Sequence, residues 1–131
     1  MKVMPHKKIL LVDDDADTLA LLKKRLEAHG FECVLCRSVE AAMEALRLHN
    51  PDLVLLDLMF HGADGTAFLA WARSQEKSPP IIVISGMHEK EVIDYVMDMG
   101  AASFIKKPID SHKLVRVIHD SLETSSAGSA I

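Results

Sequence analysis

Five short apolar runs alternate along the chain with segments whose apolar residues recur every three or four positions. The runs are Ile9 to Val12, Glu32 to Cys36, Leu53 to Leu56, Ile81 to Ile84 and Ser103 to Ile105. Ile81-Ile82-Val83-Ile84 is apolar at every position, which fits a parallel strand covered on both faces and not a half-solvated antiparallel one. The alternation predicts an α/β fold, a five-strand parallel sheet with helices on both sides.

The helical segments carry their own punctuation. The first, Ala16 to His29, places Leu19, Leu22 and Leu26 on one stripe and stops at Gly30, a favoured C-cap residue. The second, Val39 to His49, follows Ser38 as cap and stops short of Pro51. The third, Gly65 to Ser74, has Asp64 as cap and buries Phe68, Leu69 and Ala72. The fourth runs from Glu89 to Met99, with Val92, Val96 and Met99 toward the core, and ends before Gly100. The fifth, Ser111 to Leu122, is capped by Asp110 and turns Leu114, Val117 or Ile118, and Leu122 inward. No repeat or internal linker breaks this order. One domain over residues 8–122 is expected, after an N-terminal extension of residues 1–7. Residues 123–131, rich in Ser, Ala and Gly, read as a flexible tail or the start of a linker.

The bulk numbers narrow the function. The chain has 131 residues, 49% apolar and 26% charged, which suits one globular domain. No apolar stretch approaches the length of a membrane span and no secretory signal is visible, so a cytoplasmic location is expected. A net charge of -4 with scattered Lys and Arg argues against direct nucleic-acid binding. Cys33 and Cys36 have C-x-x-C spacing but lie in a strand, where residues three apart face opposite ways. They read as ordinary thiols, not a redox or metal pair.

The strand ends carry the candidate chemistry. In an open parallel α/β sheet, ligands sit beyond the carboxyl ends of the strands. There the sequence places Asp13 and Asp14, then Asp57, Ser85 and Lys107-Pro108. Adjacent carboxylates at a buried strand end need a cation, and a hard ion held by oxygen, Mg²⁺, is the natural one. A run of acids after a strand is by itself more often a solvated turn or a helix cap, and the other rim residues shift that balance toward a metal. Asp57, partly enclosed by Leu58-Met59-Phe60, is a usable nucleophile toward phosphorus if metal and ammonium neutralise the transferring oxygens. Lys107 supplies the ammonium and Ser85 a hydroxyl donor. Pro108 is a candidate for a cis peptide that aims Lys107 inward.

These motifs together resemble the receiver domain of the bacterial two-component response regulators, from Lys8 to Leu122. The resemblance rests on Leu11-Val12-Asp13-Asp14-Asp15, on Asp52 to Met59 with Gly62 and Asp64-Gly65, on Ser85, and on Gly100-Ala101 leading to Lys107-Pro108. It implies a flavodoxin-like (βα)5 doubly wound sheet of strand order 2-1-3-4-5. It further implies that Asp57 accepts a phosphoryl group from a phosphohistidine on a sensor histidine kinase or phosphotransfer protein. Mg²⁺ would be held by Asp13, Asp14, Asp57 and the Met59 backbone carbonyl, while Lys107 and Ser85 bind the phosphoryl oxygens. Movement of Ser85 would be coupled to the aromatic ring on the fifth strand, Phe104. That coupling would change the surface of the fourth helix, fifth strand and fifth helix, read by a downstream effector protein or effector domain or by a second copy in a homodimer.

Several positions depart from the family pattern. His61 replaces the usual Pro, and Gly86 follows Ser85 where Ala is common. Phe104 lacks a hydroxyl, so a switch there works by ring packing. Met59 and Met87, two residues beyond acceptor and hydroxyl, are apolar where polar residues can assist water attack, which predicts a long-lived phosphate. Trp71, Ile93 and Met97 are candidate surface contacts. The competing function is a phosphorylation-independent binding module. A haloacid dehalogenase type phosphatase would need Asp where Met59 stands, and no G-x-x-x-x-G-K-[ST] pattern occurs.

Overall fold

The computed structural model describes residues 6–60, 63–87 and 89–129. Among them, β1 (Lys8–Val12), β2 (Glu32–Cys36), β3 (Leu53–Asp57), β4 (Ile81–Ser85) and β5 (Ser103–Lys106) form one sheet in the order β2-β1-β3-β4-β5, every pairing parallel. The helices are α1 (Ala16–Glu27), α2 (Val39–His49), α3 (Gly65–Arg73), α4 (Lys90–Asp98) and α5 (Ser111–Ser129). This is the flavodoxin-like α/β topology expected.

The apolar runs divide between two cores because successive strand residues face opposite ways. Leu10, Val12, Val54, Leu56, Ile81 and Val83 pack under α2, α3 and α4. Ile9, Leu11, Leu53, Leu55, Ile82 and Ile84 pack under α1 and α5. The residues Leu53 to Leu56 are all at most 2% exposed, and full burial stabilises by roughly 1.5–3 kcal/mol per such side chain. The two cysteines follow the same rule. Cys36 joins the first core and Cys33 packs against the second, and burial pushes the Cys33 thiol up to about 11 and raises Cys36 as well. Both are protonated, weakly reactive thiols at neutral pH.

Two of the expected caps are seen, while the Asp64 side chain lies outside the described residues. Ser38 accepts the Ala41 N–H at 3.1 Å, and Asp110 accepts the His112 N–H at 3.0 Å. Of the three acids after β1, Asp15 is the cap of α1. Helix α3 ends at Arg73 and α4 spans Lys90–Asp98, each within one residue of the expected ends, and the larger differences lie elsewhere. Helix α1 stops at Glu27, because residues 28–30 form the turn that Gly30, at φ +87°, completes. A two-residue hairpin, Met59–Phe60 against Ala63–Asp64, is not visible as apolar periodicity. Helix α5 runs to Ser129, past the expected end at Leu122. Residues 123–129 hold no proline and a glycine only at 128, so nothing in the backbone ends the helix earlier. Within α5, Ile118 is buried and Val117 half-buried.

Candidate functional site

The register builds the site. Val12 pairs with Leu56, Asp57 with Ile84, and Ser85 with Lys106. Asp13 and Asp57 thus stand one residue beyond the same rung, Ser85 stands one beyond the rung that holds Asp57, and Lys107 one beyond Ser85. Four residues distant in sequence share one rim of the sheet for that reason alone.

Alternation then sorts them by face. Asp13, Asp57 and Lys107 continue the Ile9-Leu11, Leu53-Leu55 and Ile105 positions on the α1/α5 side. They line one small cavity with Leu11, Leu55 and Ile84. Ser85 continues Ile81-Val83 on the other side, where Phe104 also packs, half-buried against the core of α2 to α4. The hydroxyl and the ring assigned to switching share a face.

The acids are enclosed: Asp13 is 4% exposed and Asp57 5%, and Ser85 is wholly buried. Lys107 Nζ donates to Asp57 Oδ2 at 2.7 Å. Burial pushes the Asp13 carboxyl up to about 6, and its hydrogen bond with Asp57 and the charge there add to the rise, against the Asp15 N–H that donates to Asp13 Oδ1 at 2.9 Å. Burial by itself would lower the Lys107 ammonium. The hydrogen bond to Asp57 and the charges of Asp57, Asp13 and Asp14 outweigh it and hold Lys107 above its ordinary value. Two buried carboxylates sharing one ammonium leave negative charge in excess, a setting that favours a further cation.

The donors are all oxygen, as a hard divalent ion requires. Among the described residues no group of three or more Asp, Glu, His or Cys side chains stands close enough to hold a metal ion by itself.

Ser85 Oγ accepts the Met87 N–H at 2.9 Å, and Ser85 O accepts the Lys107 N–H at 3.0 Å. The Lys107-Pro108 peptide is cis. Met87 is 40% exposed, while the Met59 side chain, His61 and Gly62 lie outside the described residues. Trp71 is half-buried over Phe68, with ring centroids 6.1 Å apart. On α4, Met97 is exposed as expected, and Tyr95, which sequence reasoning passed over, is more so at 56%. Also missed was Arg37, whose guanidinium donates twice to the Asp14 carbonyl. Its signal was a cation directly after β2, the strand beside the acidic loop.

Comparison with known proteins places this geometry. The family model described as response regulator receiver domain matches residues 9–119. Nitrogen assimilation regulatory protein NtrX of Azorhizobium caulinodans is 30% identical over 118 residues, 88% of this chain and 26% of that protein. Transcriptional regulatory protein GlrR of Escherichia coli is 32% identical over 125 residues, 94% of this chain and 28% of that protein. The chain thus spans about a quarter of the length of these two relatives. Polar-differentiation response regulator DivK of Brucella ovis, 26% identical, is matched over 86% of this chain and 93% of its own length. Among solved structures, NtrX from Brucella abortus superposes with a TM-score of 0.89 at 31% identity, over 96% of this chain and 29% of that one. A CheY-like receiver domain protein from Methanospirillum hungatei gives 0.88 at 25% identity, over 95% and 99%.

Proposed function

The chain belongs to the response regulator receiver domain family of two-component systems, and from that premise we propose that it is a phosphorylation-controlled switch whose acceptor is Asp57. The observation that carries this reading is the contact of Lys107 Nζ with Asp57 Oδ2 at 2.7 Å beside the buried Asp13. A carboxylate held by an ammonium at the end of a rigid strand is oriented, shielded from bulk water and close to a cation that can follow the transferring charge.

In the proposed reaction an Asp57 carboxylate oxygen attacks the phosphorus of a phosphohistidine. The O–P bond forms as the P–N bond breaks, and the leaving imidazole nitrogen takes a proton from solvent. Lys107 neutralises one phosphoryl oxygen and the Ser85 hydroxyl donates to another. Mg²⁺, when bound, would supply the remaining neutralisation, held by Asp13, Asp14, Asp57 and the Met59 backbone carbonyl with water in the other positions. The phosphodonor would be a sensor histidine kinase or phosphotransfer protein. A groove of about 290 Å³ beside the site, lined by Thr18, Leu21, Arg25 and Pro108, supports its docking there.

The output follows from the second face. Ser85 moving toward a phosphoryl oxygen gives up its bond from the Met87 N–H and vacates space beside Phe104. Repacking of that ring would alter α4-β5-α5, where Tyr95 and Met97 are exposed to an effector protein, an effector domain or a second copy. The domain is not an enzyme in the ordinary sense, since it acts only on its own acceptor. No described helix is long and apolar enough to cross a membrane.

The test is acetyl phosphate or beryllofluoride with Mg²⁺, read by mass and by Trp71 fluorescence on native protein and Asp57→Asn. One phosphoryl group on the native chain and none on the variant is expected. No adduct on the native chain would leave the phosphorylation-independent binding module as the better reading.

A further inference from the structure

Two ties run from the end of β2 to the acidic loop after β1. The Asp13 N–H donates to the Cys36 carbonyl at 3.1 Å, continuing the β1-β2 ladder by one rung. At the next residue, Arg37 Nε and Nη2 donate to the Asp14 carbonyl oxygen at 3.2 and 3.1 Å. A guanidinium is a rigid planar fork, and two of its donors converging on one oxygen leave that carbonyl little freedom to rotate. Asp13 Oδ1 is held in turn by the Asp15 N–H at 2.9 Å. The loop is therefore restrained at three successive residues, the middle one by a side chain from the residue after β2.

Rotation of the peptide after Asp14 would swing the neighbouring acids, so the fork acts on their aim without touching them. We propose that Arg37 is a positioning residue, which through the Asp14 carbonyl holds Asp13 and Asp14 in the arrangement that receives a divalent cation. This rests on the assignment of those acids to Mg²⁺ under the proposed function. Arg37 also brings positive charge toward the site, which opposes cation binding. Arg37 is exposed, so water and salt screen that repulsion, and the positioning effect dominates.

The two effects have opposite signs, which makes them separable with the whole chain as native protein, Arg37→Met and Arg37→Lys. Met keeps the length of the stem and removes the donors and the charge. Lys keeps the charge with a single point donor. Mg²⁺ titration by calorimetry is expected to show binding weakened about tenfold in Arg37→Met, the size of losing one charge-assisted hydrogen bond, with Arg37→Lys between Met and native. In chelator without Mg²⁺, the Asp13 and Asp15 amides are expected to exchange with solvent roughly tenfold faster in Arg37→Met while those of Val83 and Ile84 keep their native rates. The phosphorylation rate at saturating Mg²⁺ should stay native, so that only the Mg²⁺ dependence moves.

Tighter Mg²⁺ binding by Arg37→Met would overturn the proposal in favour of a purely repelling charge, and so would unchanged affinity with unchanged amide exchange. Native protein that takes up no Mg²⁺ would sink the assignment of Asp13 and Asp14 together with the role of Arg37. Native binding with an indifferent Arg37→Met would sink the role of Arg37 alone.

Discussion

Lys107 Nζ stands 2.7 Å from Asp57 Oδ2, although 50 residues separate them in the chain. The Asp57 side chain is 6% exposed and that of Lys107 36%, so the ammonium enters from the solvent side onto a nearly enclosed carboxylate. Such a pair does more than a surface ion pair, because the carboxylate has little water to replace a lost partner.

Lys107→Met should therefore slow phosphorylation of Asp57 from acetyl phosphate by about a hundredfold or more, the usual cost of removing one donor to developing oxyanion charge. The fold should survive, since the Lys107 side chain is 36% exposed and its loss is felt only at the rim. Single-turnover labelling followed by mass, with far-UV circular dichroism as the control for folding, checks this. Native rates in the variant would remove Lys107 from the reaction.

The second prediction concerns pH in the cation-free protein. The Asp13 carboxyl rises from its ordinary 3.8 to about 6, with burial as the main cause and Asp57 as a contributor. The folded state then binds a proton more tightly than the unfolded chain does. Stability from this group is present below 3.8 and is lost as the pH rises through about 6. Asp13→Asn should flatten that part of the Tm profile and melt higher than native protein at pH 7. Asp57→Asn should lower the Asp13 value without restoring it, because burial remains. Carbon-detected titration of the Asp13 carboxyl would reveal either shift, and an unmoved value in Asp57→Asn would refute the coupling.

Gly65 opens α3 against the end of β3. A Cβ there would lie 3.1 Å from Leu58 O, 3.2 Å from Leu58 Cα and 3.4 Å from Asp57 O. Alanine is ordinarily favoured over glycine in a helix by about 1 kcal/mol. The neighbours here are backbone, and moving them displaces the strand end that carries Asp57, so overpacking should win by roughly 1–2 kcal/mol. Gly65→Ala is expected to melt lower and to phosphorylate more slowly. A higher Tm would show that Leu58 gives way freely.

The two methionines bear on the lifetime of the phosphate. Met87 is 40% exposed and its N–H donates to Ser85 Oγ, and Met59 follows Asp57 by two residues. Neither side chain can hold or activate water. Met59→Asn/Met87→Glu should shorten the life of the aspartyl phosphate by at least about tenfold, a modest share of what a positioned acid or base contributes. Decay is followed from the phosphorylated protein after removal of the donor, and equal rates would leave both methionines as packing.

The strand ends were readable because they follow from the chain locally. Unbroken apolar runs require burial on both faces, and the polar residue that ends each run falls on the rim whatever the side chains around it do. Helix α5 was read short because its continuation past Leu122 has no apolar stripe to mark it. The hairpin after Asp57 is two residues per strand, below any periodicity. Arg37 was passed over because its one signal, a cation directly after β2, does not say which group it reaches. Its significance lies in a carbonyl 23 residues away.

The sequence by itself determined the parallel sheet, its alternating helices and the residue types gathered at one rim, because burial and chain direction are dictated by composition along each run. Tertiary structure alone decided how those residues meet. The register sets Asp13 and Asp57 beyond one rung, and side-chain alternation divides Asp13, Asp57 and Lys107 from Ser85 and Phe104 across the sheet. Burial raises Asp13, and a guanidinium from the residue after β2 holds the Asp14 carbonyl. Each of these depends on distances between segments far apart in the chain, which no local pattern encodes.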